Sequence, residues 1–181
     1  MKNWIALLHK ITDQTITEFG TLTNEQLHWK PNPHTWSIAE NLDHLIVLNE
    51  SYYPILESLK AGSYQTPFIA KINFIVSFLG NTILKSVQPD RRKKMKTFQM
   101  WEPSKSNEIN DIINRFKIHQ HELILKIEEA SVYIEKGCII SSPANKNIVY
   151  SLETAFDIIV SHEQRHLEQS KELLKLLKAN I

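Results

Sequence analysis

Two histidines four residues apart, His162 and His166 in the stretch SHEQRHLEQ (Ser161 to Gln169), are the residues best placed to do chemistry. Steps of three and four along the C-terminal stretch visit Leu152, Ala155, Ile159, His162, His166, Gln169, Leu173 and Leu176. That is one side of a helix, and three successive polar residues interrupt an otherwise apolar line. Burying one polar group without a partner costs roughly 1–3 kcal/mol, so three in a row need a shared reason. Imidazoles at i and i+4 share a helical face and can reach one ion at nitrogen–metal distances of about 2.0–2.1 Å. A metal site accounts for spacing and polarity together. The plainer alternative is a pair of core histidines with protein partners.

The same residues spell H-E-x-x-H, which in zinc proteases pairs two metal histidines with a glutamate base. That reading fails on the third ligand. No G-x-x-H continuation follows His166, and the later carboxylates Glu168 and Glu172 lie on the same helix. Glu163 stands about 100° around the helix from His162, so it need not face an ion. A third ligand has to come from another helix. His44 is the first choice and His119 the second; the residues alone leave both open. His9, His28, His34 and His121 fall on surfaces or connectors.

The elements that would carry these side chains are helical. Trp4, Leu7, Leu8, Ile11, Thr15 and Phe19 predict a helix over residues 2–19. A connector punctuated by Asn24, Pro31 and Pro33 follows. Ser37 with Glu40 three residues later is a capping-box pattern that starts a helix at Ile38, running to about Lys60 with a kink at Pro54. A further helix is expected over 70–85, then a long excursion from Ser86 to Ser106 that contains the basic run Arg91 to Lys96. Helices over 107–130 and 148–179 complete the chain, separated by the breaker-rich GCIISSPANKN. Ile139-Ile140 has the character of a short strand without an evident partner. The expectation is one all-α domain over residues 1–181, a four-helix bundle with long crossover connections.

Composition narrows the function classes. The chain has 181 residues, enough for one domain with its own core. Four glycines favour long helices over a turn-rich β fold. A formal net charge of +1 speaks against a nucleic-acid partner, and one short basic run is more often a solvated loop. Cys138 stands alone, so no intramolecular disulfide forms and a reducing, cytoplasmic setting is expected. The apolar run in MKNWIALLHK is too short for a signal peptide, and Phe68 to Leu79 is too short and too polar to span a membrane.

Two stretches together resemble a known family. The segment LTNEQLHWKPNPHTWSIAENLDHL (Leu22 to Leu45) contains W-S-I-x-E-x-x-x-H-L, and HEQRHLEQ (His162 to Gln169) reads H-x-x-x-H-x-x-Q. In this order and at this separation they resemble the two signatures of the DinB/YfiT-like superfamily. The resemblance implies a four-helix bundle holding one divalent ion on three histidines, and zinc or nickel is the ion expected there. Carried over, these are His44, His162 and His166, which selects His44 over His119. Trp36, Ser37 and Glu40 match as structural positions, a packed aromatic and a cap. Gln169 matches the last position of the second signature and is expected beside the ion or facing substrate. The better-defined family members are thiol S-transferases, and some are isomerases that act with such a thiol. The implied function is therefore metal-dependent conjugation of a low-molecular-weight thiol to a small electrophile, in a homodimer, with Gln169 and Glu163 as the catalytic candidates. A metal-dependent hydrolase and a non-enzymatic metal-binding stress module are the alternatives.

Overall fold

Helix α1 (Trp4–Phe19) forms because Trp4, Leu8, Ile11, Thr15 and Phe19 return to one face at helical spacing, and that face is buried. The computed structural model describes residues 2–90, 97–105 and 109–180. The connector after α1 is more ordered than its prolines suggest. Thr23 and Gln26 close a capping box around the short α2 (Asn24–His28). Helix α3 (Ile38–Glu50) starts at Ser37 as the sequence predicts: the Ser37 hydroxyl accepts from the Glu40 amide, and the Glu40 carboxylate accepts from the Ser37 amide.

The predicted helix over 38–60 is two helices. α3 ends at Glu50, and α4 (Tyr53–Lys60) follows with Pro54 in its first turn, where its missing N–H costs nothing. A 3-10 turn (Phe68–Lys71) leads into α5 (Asn73–Ser86). Part of the expected excursion is described: a 3-10 turn at Gln99–Trp101 returns over α3. The basic run Arg91 to Lys96 lies outside the described residues. Helix α6 (Ile112–Glu129) begins later than predicted, after Asp111 in a left-handed conformation, and the short α7 (Ser131–Glu135) follows.

The segment Ile139-Ile140 does find a partner. Strand β1 (Ile139–Ser142) pairs antiparallel with β2 (Asn145–Ser151), with Ile140 opposite Tyr150 and a register shift between Ser141 and Ser142. Residues 148–151, expected to open the last helix, belong to β2. Helix α8 (Leu152–Ala179) starts where the Ser151 hydroxyl accepts from the Thr154 amide. Helix α5 lies on β2 and α8. Gly80 permits that approach, since a Cβ there would come within 3.1 Å of both Thr154 and Tyr150.

The molecule is thus mainly α-helical with one small hairpin. Helices α1, α3, α6 and α8 pack on one another around a continuous core that includes Leu8, Phe19, Leu42, Leu45, Phe116, Leu123, Ala155 and Ile159. No described helix is long and apolar enough to cross a membrane. The core also holds an unusual number of polar side chains, and most of them sit on α3 and α8.

Candidate metal centre

His44 on α3 and His162 and His166 on α8 come together: one ring nitrogen from each lies within 4.8 Å of the others. His44 and His166 are buried, and His162 is half-buried with its Nδ1 sealed from solvent. His119, the second choice from the sequence, is buried elsewhere and is not in this cluster.

Hydrogen bonds decide which nitrogen each ring presents. His166 Nδ1 lies 2.6 Å from Asn41 Oδ1, and Asn41 is oriented by its own Nδ2, which donates to the Ser37 carbonyl at 2.8 Å. An amide oxygen only accepts, so the His166 proton is on Nδ1 and its Nε2 carries the lone pair. His44 Nδ1 donates likewise to the Trp101 carbonyl at 2.5 Å, leaving Nε2 free. His162 Nε2 faces His166 Nε2 at 3.1 Å, and His162 Nδ1 has no partner among the described residues. Without an ion, this contact is reconciled only if His162 carries its proton on Nε2 and donates it to His166. With an ion, all three Nε2 lone pairs are used. Bonds of about 2.0–2.1 Å in a tetrahedron put donor atoms about 3.3 Å apart, close to the observed contact. The donor set therefore fits a divalent cation.

The electrostatics agree. Burial lowers the pKa of His44, against the pull of the Trp101 carbonyl and Asp43. Burial, then His44 and Arg165, hold His162 well below the usual histidine value. Burial, His162, His44 and Arg165 do the same to His166. All three rings are neutral at pH 7, the form that coordinates. The cation beside them is Arg165, buried on α8 with its guanidinium near the Ser86 and Gln88 carbonyls at 3.4 Å each.

Several parts of this site escape a reading of residue types. Asn41 precedes His44 by three and shares its helical face, a signal that spacing carries. The Trp101 carbonyl carries none, being backbone delivered from 57 residues away. The Trp101 indole anchors it by donating to Ser51 Oγ at 3.0 Å. Trp36, expected as a packed aromatic, packs on the histidines themselves, its ring 4.9 Å from that of His44 and 6.0 Å from that of His166.

The carboxylates that adjoin these histidines in sequence, Asp43 and Glu163, are committed elsewhere. Asp43 is fully buried and accepts from the Ser104 amide and Arg115, tying the excursion and α6 to α3. Glu163 is fully buried, and its hydrogen bonds run to Asn49 on α3 and Gln120 on α6, none of them to the three histidines. As a catalytic candidate Glu163 makes no hydrogen bond to the three histidines; its hydrogen bonds face the other way. Gln169 lies half-buried on the histidine face of α8, three residues beyond His166, with no hydrogen-bond partner among the described residues. Cys138 is half-buried at the start of β1.

No curated protein and no solved structure matches the chain. The family model of the DinB superfamily matches residues 7–170, nearly the whole length and both histidine-bearing helices, and the chain belongs to that superfamily.

Proposed function

We propose that this chain is a four-helix bundle of α1, α3, α6 and α8 that binds one zinc or nickel ion through His44, His162 and His166 and conjugates a low-molecular-weight thiol to an electrophile. The observation that carries this reading is the convergence of three neutral imidazoles without an anionic ligand among them. A divalent ion held by His44, His162 and His166 would keep its full charge and would supply Lewis acidity that lowers the pKa of a bound thiol or water.

The chain's own residues do the rest. Asn41 and the Trp101 carbonyl fix the rings of His166 and His44. Trp36 walls one side of the site with an apolar face that excludes water. Gln169 offers an amide to whatever is bound there. Neither Asp43 nor Glu163 is turned toward the three histidines: the hydrogen bonds of Asp43 run to Ser104 and Arg115, and those of Glu163 to Asn49 and Gln120. Sulfur chemistry needs a base least, since a thiol deprotonates near neutrality once its pKa is lowered. Proximity then carries the reaction.

The test uses protein purified without a histidine tag. Metal content is measured first, then consumption of monochlorobimane with and without thiols such as bacillithiol, mycothiol and glutathione. Thiol-dependent turnover that disappears with the metal supports the transferase. Turnover of esters or amides without thiol would instead establish a hydrolase, using water at the same position. Bound metal with neither activity would leave a metal-binding module.

A further inference from the structure

A second polar layer lies inside the bundle. Glu163 and Asn49 are fully buried, and Gln120 and His119 are 1% and 3% exposed. Asn49 Nδ2 and Gln120 Nε2 each donate to Glu163 Oε1 at 2.7 Å. Asn49 Nδ2 also lies 3.1 Å from His119 Nε2. The Thr12 hydroxyl reaches Gln120 Oε1 from α1 at 3.4 Å, and Tyr53 Oη approaches His119 Nδ1 at 3.5 Å. Helices α1, α3, α6 and α8 are all joined through it.

Such a layer is a poor way to gain stability. Well-packed apolar residues in place of buried charged or polar groups are often neutral or stabilising. No cation meets the Glu163 carboxylate within the layer, and its Oε2 has no partner among the described residues. Polar contacts do confer register, because hydrogen bonds have one geometry where apolar contacts have many.

The placement of the layer gives that register a use. Glu163 follows His162 directly, and Asn49 follows His44 by five residues on α3. At about 100° per residue, α8 sends its two histidines to one side and Glu163 to another. Two attachments so far apart on one turn fix the helix against rotation about its axis. A turn of about 10° would carry an imidazole nitrogen roughly 1 Å, beyond the ~0.5 Å that a preorganised site tolerates.

We propose that Glu163 and Asn49 are positioning residues: their buried contact sets the rotation and register of α8 against α3, and so the approach of His162 and His166 to His44. This rests on the metal-site reading, and the experiment separates the two. The probe is cobalt(II), read by competition with a chelator and by its visible absorption, on metal-stripped, tag-free protein. The variants are Glu163→Gln, Glu163→Asp and the double Glu163→Met with Asn49→Leu.

Glu163→Gln keeps an acceptor for both amides, and cobalt should bind within threefold of the native protein with an unchanged spectrum. Glu163→Asp draws the carboxylate back by one methylene and should weaken cobalt at least fivefold with a shifted spectrum. The double variant should melt no more than a few degrees below native metal-free protein, yet lose at least tenfold in affinity. Should the double variant not fold, the Asp variant decides. Native affinity and spectrum in a folded Asp or double variant would overturn the proposal and leave the layer merely structural. His162→Ala separates the readings: cobalt affinity unchanged there would sink the metal site itself.

Discussion

The two polar clusters of this helical core share α3 and α8 and differ in where their lone pairs go. In the Asn49–His119–Gln120–Glu163 layer, amide donors meet a carboxylate and an imidazole, and most of the chemistry closes on itself. In the His44–His162–His166 cluster, outer nitrogens of two rings are held by Asn41 and Trp101 while three inner lone pairs converge on one point. Burial and polarity are common to both. What separates a ligand set from a structural layer is a convergence of acceptors on one point, and that follows from partners rather than from residue type.

The largest expected effect breaks the comparison on one side only. His162→Ala or His44→Ala should remove essentially all stoichiometric zinc or nickel, since two imidazoles make an incomplete site. His119→Gln, in the other cluster, should leave metal content unchanged. Elemental analysis of tag-free protein measures both, and metal loss in the His119 variant would show the clusters to be one site.

Next comes the shell around the ligands. Asn41→Leu removes the acceptor that holds the His166 proton on Nδ1. Such outer partners are typically worth 10–100-fold in metal affinity, and a loss in that range is expected by chelator competition. An affinity within twofold of native would mean that packing against Trp36 alone orients the ring.

How much of this was legible in the sequence follows from the same contrast. The α8 seam, the Ser37–Glu40 cap and the helical class were readable because periodicity and capping are local. His44 and His119 could not be ranked from residues alone, because both are inward-facing helical histidines; the resemblance chose His44, and it is His44 that lies beside His162 and His166. The role of Glu163 was invisible for the reverse reason: beside a ligand in sequence, it points to α6 in space. The hairpin was missed because its turn was read as a plain break, although Ile148, Val149 and Tyr150 are strand formers. The Trp101 carbonyl lay beyond any reading of side chains.

Acid and base sharpen the comparison without substrate. In metal-free protein the three histidines have folded pKa values below 6.5, so their contribution to stability is full above pH 6.5 and is lost as pH falls below it. Glu163 runs the other way. Burial pushes its pKa up from 4.5 to about 7, so its contribution is full below pH 4.5 and is lost as pH rises toward 7. Urea unfolding across pH 4–8 should show both slopes, and Glu163→Gln should abolish the decline between 4.5 and 7 while keeping the acid limb. Loss of both slopes in that variant would mean that the clusters titrate as one unit.

The smallest effect concerns the edge of the histidine cluster. Gln169 shares the face of His162 and His166, is half-buried, and holds no partner among the described residues. Its amide is therefore available to a bound molecule and idle without one. Leucine has nearly the same volume and helix preference, so Gln169→Leu should keep the fold and hold metal affinity within twofold. A neutral hydrogen bond contributes about 0.5–1.5 kcal/mol, so the thiol KM or the turnover should change by roughly 2- to 12-fold. A larger fall in metal affinity than in turnover would place Gln169 with Asn41, as a support for the ligands. Unchanged kinetics with intact metal would confine substrate recognition to Trp36 and the ion.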